Sequence, residues 1–272
     1  MRAFACAVMA LAFGCFAFEA AALDGCRPIA SRPVTIMPAA LASDEVSLTF
    51  IGHSSFLIES PAGVTVETDY NDYVRSGRVP VIATMNRAHS THYANAPDPG
   101  IRHLLRGWDP SGRGAAEHDV AERDVRVRNV PTNIRSFYGG EGTIPDGNSI
   151  FLIEVAGLCI AHLGHLHHTL VPAHLRDIGR VDIALVPVDG TMTLDLDGMM
   201  EVIAALDPAI VVPMHVFGPS TLRRFLERAA QTRRVEWHGG PELIVARSRL
   251  TREPRVVVMP GSDPREAWIM RR

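Results

Sequence analysis

"LTFIGHSSFLIESPAGVTVETD", Leu48 to Asp69, sets short apolar runs side by side with turn signals between them. "VSLTFIG", "SFLIES" and "VTVETD" are divided by Gly-His-Ser and Ser-Pro-Ala-Gly, so the stretch predicts three consecutive strands. Outward from it, "VPVIATM" (79–85), "IRHLLRG" (101–107) and "DVRVRNV" (124–130) read as further strands. Residues 132–147, carrying Gly139, Gly140, Gly142 and Gly147, read as a loop. "SIFLIEVAGLCIAHLG" (149–164) reads as a hairpin turning at Ala156-Gly157. Beyond it, "VPAHLRDIG" (171–179), "LDLDGMMEVIAALD" (194–207) and "PSTLRRFLERAAQ" (219–231) carry helical spacing and alternate with the strands "VDIALVPV" and "AIVVPM". Strands first, then helix and strand in alternation, predict an α/β fold of sheet layers with helices outside.

The ends of this region are set by composition. Met1-Arg2, the apolar "AFACAVMALAFGCFAF" and the small residues Ala20 to Ala22 predict a cleaved signal peptide over 1–22. The apolar stretch is short for a membrane span, and an uncleaved anchor is the other reading. Residues 23–45, rich in proline and small side chains, read as an extended lead-in, leaving 46–272 as one domain. A periplasmic or secreted location follows from the signal. The net charge of −3 and pI near 6.5 argue against nucleic acid as a partner. After cleavage Cys26 and Cys159 remain, and an oxidising compartment would permit them to pair, although spacing does not assign the bond. No Cys-x-x-Cys offers a thiolate metal site.

Histidines mark the chemistry. "CIAHLGHLHH" (159–168) places His162, His165, His167 and His168, four of the chain's twelve, at the end of an apolar run. "MNRAHSTHY" gives His89 and His92 after another strand, and "VVPMHVFG" gives His215 after a third. A lone histidine at a strand end is ordinarily a hydrogen-bonded core residue. Three clusters in equivalent positions point instead to a metal site built from neutral imidazoles.

The order and flanks of these clusters resemble the metallo-β-lactamase superfamily, in its lactonase and phosphodiesterase-like branch. Gly52-His53-Ser54 and Asp69 match its opening hairpins. "HLGHLHH" sits where that family has a Gly-Asp motif, and "VDIALVPVDG…LDPAIVVPMH" matches its closing stretch. The resemblance covers about residues 46–220 and implies a four-layer αββα sandwich. The family's His-x-His-x-Asp-His falls on Arg87 to His92, where its first histidine is Arg87 and its aspartate is Thr91. The bridging aspartate aligns with His165, and only Asn133 stands near the place of a further family histidine. The resemblance thus implies His89, His92 and His215 as metal ligands, and His165, a new imidazole in the bridging position, is expected to ligate the metal with them.

Loss of both carboxylates and the neighbouring Arg87 make a second dication unfavourable, so one divalent transition metal is expected. All-nitrogen ligation favours zinc, copper, nickel or iron over magnesium, calcium or manganese, and zinc is the default. Arg87 reads either as a clamp for an anionic substrate group or as a structural ion pair with Asp69 or another carboxylate nearby. His167 and His168, just past the strand, are the candidates to orient a ligand or to accept or shuttle a proton, and each reads equally as a solvated loop residue. His53 reads as support for the site or as a plain turn residue. Asp189 reads as an acceptor behind a ligand or as a turn cap.

Two functions follow. The first is an exported metal-dependent hydrolase acting through a metal-bound hydroxide on an ester, lactone or phosphodiester of a small molecule. The second is a non-catalytic periplasmic protein that keeps the fold and binds a metal or ligand.

Overall fold

Val46, Leu48 and Phe50 are at most 1% exposed, and their period of two sets the inner face of the first strand. The computed structural model describes residues 40–136, 142–251 and 253–261. The expected signal peptide and residues 23–39 of the lead-in, Cys26 included, lie outside the described residues. Cys159 is a free thiol.

Strand β1 (Glu45–Gly52) pairs antiparallel with β2 (Ser55–Glu59), and β2 with β3 (Thr65–Glu67). The chain then crosses over, so that β3 runs parallel to β4 (Ile82–Met85), and β4 parallel to β5 (His103–Arg106). The second sheet has an antiparallel half, β6 (Asp119–Glu122), β7 (Val125–Arg135), β8 (Thr143–Val155) and β9 (Leu158–His162). Its parallel half adds β10 (Ile183–Pro187), β11 (Ile210–Met214) and, past the last helix, β12 (Arg234–Trp237) and β14 (Arg255–Val258). Between those two, β13 (Glu242–Ala246) returns to pair antiparallel with β1. The result is a six-stranded sheet, β13-β1-β2-β3-β4-β5, and an eight-stranded sheet, β12-β14-β11-β10-β9-β8-β7-β6.

One hydrophobic cluster joins Val46, Leu48, Phe50, Phe56 and Ile58 of the first sheet to Val127, Ile150, Leu152, Leu185 and Val212 of the second. Each such buried side chain contributes about 1.5–3 kcal/mol. Among the described residues, three α-helices follow β9 in the chain. In α1 (Pro172–Ile178), Pro172 supplies a fixed φ at the first turn and Gly179 caps the end at φ 74°. In α2 (Leu196–Leu206), the Asp195 side chain accepts from the Gly198 N–H, and Met199, Val202, Ile203 and Leu206 form the buried stripe. In α3 (Pro219–Ala229), the buried face is Leu222, Phe225 and Ala229. The mixed α/β fold with two stacked sheets agrees with the sequence. On the first sheet, loops supply further cover, with Val74 packed on Ile51 and Leu57, and Ala94 on Met85.

The reading of 132–147 as a loop is corrected. β7 and β8 are paired through Ile134↔Ile144 and Arg135↔Thr143, across an irregularity between Thr132 and Ile134. Gly147 lies inside the strand because a Cβ there would meet Ile134 at 2.7 Å. Residues 137–141, with Gly139 and Gly140, lie outside the described residues.

Glu67 on β3 is wholly buried, its carboxylate accepting from the Ser76 hydroxyl at 2.5 Å. Burial pushes its pKa up from 4.5 to about 7, in spite of the Ser76 bonds. The stability this group contributes is complete below about pH 4.5 and is lost as pH rises through 7. The variant Glu67→Gln is therefore expected to gain about 2–3 kcal/mol on the native chain between about pH 5 and 8, read from denaturant midpoints. A difference that stays constant with pH would show that the carboxyl ionises normally.

Candidate metal centre

Strand ends from both sheets meet at one place. His53 follows β1, at φ 51°, and His215 follows β11, at φ 53°. The His215 N–H donates to the His53 carbonyl at 2.6 Å, which ties the two sheets together where both side chains emerge. His89 and His92 lie in the turn after β4, closed by hydrogen bonds from the His92 N–H to the His89 carbonyl (2.8 Å) and from the Asn86 N–H to the His92 carbonyl (3.0 Å). His165 follows β9 through Gly164, at φ 59°. A Cβ on Gly164 would stand 2.4 Å from both Asn86 Nδ2 and Asn148 Oδ1. This glycine is needed twice, for its conformation and for its closeness to the asparagines. Asn148 Oδ1 in turn accepts from the His165 N–H at 2.7 Å.

One ring nitrogen from each of His53, His89, His92 and His215 lies within 4.8 Å of the others. The Nε2 atoms of His89 and His215 are 3.3 Å apart. Two nitrogens bound at about 2.0–2.1 Å to a tetrahedral ion stand about 3.4 Å apart. A pair standing at the full 4.8 Å would draw in by about 1.4 Å to reach that spacing. His165 stands outside this group of converging nitrogens but beside it, with ring centroids 5.0, 4.8 and 4.8 Å from His89, His92 and His215.

The rings are held from behind. His92 Nδ1 lies 2.5 Å from Asp69 Oδ2, His215 Nδ1 lies 3.0 Å from Asp189 Oδ2, and His89 Nδ1 lies 2.8 Å from the Thr91 hydroxyl. A carboxylate at Nδ1 only accepts, and so fixes His92 and His215 in the tautomer whose lone pair is on Nε2, whereas the Thr91 hydroxyl steadies the His89 ring in either tautomer. The Nε2 atoms of His53 and His92 are buried and have no hydrogen-bond partner among the described residues. A buried polar atom left unmet costs about 1–3 kcal/mol, and here two are set among further imidazoles. Neutral, all-nitrogen donors of this kind fit a divalent transition metal.

Burial, reinforced by neighbouring imidazoles, keeps the rings uncharged. It lowers the pKa of His53 from 6.5 to about 2 and that of His89 to about 4, and takes His92 and His165 well below the ordinary value. Burial pushes the Asp69 carboxyl up, opposed by His162 and Asn86. At Asp189 the same penalty is outweighed by His215 and by donors from Thr191 and Thr193, leaving it below the usual carboxylate range.

The other residues singled out in the sequence fall around this core. Asp189 is both things considered for it, since it caps the following turn and holds His215. Arg87 is exposed and forms no ion pair among the described residues. Its expected partner Asp69 is taken by His92 and Asn86 instead. His162 is buried, bonding the Ser54 carbonyl at 2.8 Å and accepting from the Gly164 N–H. His168 accepts from the Asn133 N–H at 3.1 Å and bonds the Thr169 carbonyl at 2.8 Å, so both of its nitrogens serve the backbone. His167 lies between Arg135 and His165. Sequence reasoning missed Thr91 as a partner of His89, and it missed Arg135 altogether. It gave His53 only a supporting part. The signal for His53 was its place in a Gly-His-Ser turn at the end of a strand.

A family model, the beta-lactamase superfamily domain, matches residues 47–215. The chain belongs to this family. Among curated relatives, a UPF0173 metal-dependent hydrolase of Nanoarchaeum equitans is 24% identical over 62% of this chain and 83% of its own length. A UPF0173 protein of Pyrococcus abyssi is 27% identical over 70% of this chain and 93% of its own. Among solved structures, a Thermotoga maritima protein described as a proposed Zn-dependent hydrolase of the metallo-β-lactamase superfamily superposes with a TM-score of 0.56. It is 26% identical and covers 79% of this chain and 98% of its own. These relatives support a hydrolase with a divalent metal. No helix among the described residues is long and apolar enough to cross a membrane.

The depressed histidines give the metal-free protein a signed acid response. An unfolded chain takes up protons near pH 6.5, whereas folded His89 resists until about 4 and folded His53 until about 2. The stability these groups contribute is therefore full above 6.5 and is lost as pH falls below it. Denaturant midpoints measured in chelator are expected to drop steadily from about pH 7 to 4, and less steeply for His89→Gln. Equal slopes for the two proteins would show that His89 is ordinarily basic.

Proposed function

We propose that the chain is an exported hydrolase that holds a single zinc ion between His53, His89, His92 and His215 and cleaves an ester, lactone or phosphodiester in a small anionic molecule. The observation that carries the reading is the convergence of four imidazole nitrogens within 4.8 Å, with Asp69 and Asp189 behind two of them. A bound zinc ion supplies Lewis acidity, polarising the scissile group and acidifying a water. The chain's own residues do the rest. Asp69 and Asp189 hold the His92 and His215 rings with their Nε2 lone pairs free to face a common centre, and Thr91 steadies the His89 ring.

The count of one ion follows from charge. Both carboxylates near the site are occupied behind histidines, so no carboxylate among the converging groups offsets a second dication. Exposed Arg87, next to the ligand turn, is suited to meet an anionic substrate group. Export is supported by the composition of residues 1–22, and the acidic net charge disfavours nucleic acid as substrate. Proton transfer does not fall to His168, whose nitrogens are engaged by the backbone, and His167 reaches the site only through His165.

Elemental analysis of protein purified without a histidine tag is expected to give about one zinc per chain, and none after His215→Ala. The variant Asp189→Asn is expected to weaken zinc binding and turnover by about 10–100-fold. Stoichiometric metal with no turnover on a panel of esters, lactones and phosphodiesters would replace this reading with that of a metal-binding protein. Absence of metal would remove both.

A further inference from the structure

Arg135, at the end of β7, bonds none of the four converging histidines among the described residues, yet its guanidinium is held on two sides. Its Nη2 donates to the carbonyls of Thr191, Met192 and Thr193 at 2.9, 3.0 and 2.8 Å. That cage turns two further donors on one atom. The Arg135 backbone N–H and side-chain Nε–H point at His167 Nδ1 from 2.9 and 3.0 Å. Guanidinium and amide groups only donate, so His167 Nδ1 can only accept.

The consequence passes along the chain of rings. A neutral His167 with a bare Nδ1 carries its proton on Nε2. His167 Nε2 lies 2.6 Å from His165 Nδ1, so the proton in that contact belongs to His167, and His165 Nδ1 accepts it. Neutral His165 then carries its own proton on Nε2. With one nitrogen accepting from His167 and the other protonated, its ring has no lone pair left for a metal ion. The orientation is reinforced by Asn148, which accepts the His165 backbone N–H, and by Gly164, whose lack of a Cβ lets both asparagines close in.

We infer that Arg135 and His167 act as positioning residues that lock His165 as an Nε2–H donor, so that His165 serves the site by hydrogen-bonding a substrate oxygen and not by ligating metal. The His165 ring is wholly buried and stands edge-on to His89, His92 and His215, at 88°, 84° and 86°. A fixed N–H donor beside a cation suits a carbonyl or phosphoryl oxygen on which negative charge develops. The resemblance would place a carboxylate, an acceptor, at this position, so the preference is reversed towards substrates that present an anionic or strongly accepting oxygen. Only the use of the donor rests on the metal reading above; the tautomer does not.

Two measurements on different states of the protein test this separately. In metal-free protein labelled with 15N-histidine, long-range 1H–15N spectra are expected to show His165 and His167 both as Nε2–H tautomers, with the His165 signals identified by their loss in His165→Phe. A proton on His165 Nδ1 would overturn the inference, and this spectrum is readable even if no metal binds. With zinc added, His165→Phe is expected to keep its affinity within about threefold, whereas His92→Phe loses about a hundredfold or more. Inorganic phosphate, titrated into the zinc-loaded protein as a probe anion, should bind about tenfold more weakly to His165→Phe. A collapse of zinc affinity in His165→Phe would restore His165 as a ligand, and unchanged phosphate binding would remove the donor role. Failure of the wild-type protein to take up zinc would overturn the metal centre and leave the tautomer result standing.

Discussion

Asp69 and His92 lie 2.5 Å apart with neither side chain exposed, and the arrangement of the site depends on that contact. A carboxylate in a dry interior is costly unless its oxygens are met. Asp69 Oδ2 faces His92, while Oδ1 accepts from Asn86, whose own carbonyl oxygen accepts from the Ser149 N–H at 2.7 Å. The chain of bonds thus runs from the end of β3, through the residue after β4, to β8 in the other sheet. It fixes the turn that carries His89 and His92 relative to both sheets at once. Asp189 does the same for His215, but in a setting rich in donors from Thr191, Met192 and Thr193. One carboxylate is pushed up by burial and the other drawn down by its partners, although both face an imidazole.

Backbone conformation tells the same story. His53, Asp69 and His215 all have positive φ, a region that non-glycine residues rarely adopt. Each stands just past the end of a strand, and each takes part in the site. Such strain persists only where surrounding structure over-determines it, and the 2.6 Å bond from the His215 N–H to the His53 carbonyl is part of that structure. The sheets are rigid platforms, and the cost of bending the chain sharply at their ends is concentrated where the side chains of the histidine cluster and its support leave the strands.

Much of the fold was legible because its signals are local. The alternation in Val46, Leu48 and Phe50, the Ala156-Gly157 turn at φ 48° and 72°, and the Met199–Val202–Ile203–Leu206 stripe need only a window of a few residues. The segment 132–147 misled because glycine was read as turn chemistry, when Gly147 is there to let Ile134 approach. β6, β12, β13 and β14 are short, and β13 pairs with β1 nearly two hundred residues away, which no local pattern reports. The site divides in the same way. His89, His92 and His215 could be found from strand-end position, whereas the parts of His53, Thr91 and Arg135 depend on which atoms face one another across the fold. Arg135 in particular looks like any arginine following a β-type run.

Three of the departures from the family pattern make physical sense together. With Thr91 in place of a carboxylate, the position next to His92 supplies a neutral hydroxyl that steadies His89. With His165 in place of the second, the facing position supplies another neutral ring, tied through His167 to a caged arginine. Arg87, in place of a histidine, sits exposed and adds a positive charge outside the ring cluster. Negative charge is therefore missing from the converging groups and stands behind them, on Asp69 and Asp189. Coulomb attraction weakens with distance, so a dication among these imidazoles keeps more of its charge for whatever approaches from solvent. Two carboxylates in direct contact with a metal would hold it tightly and blunt its field. Imidazoles backed by carboxylates hold it by geometry and leave the field directed at the substrate.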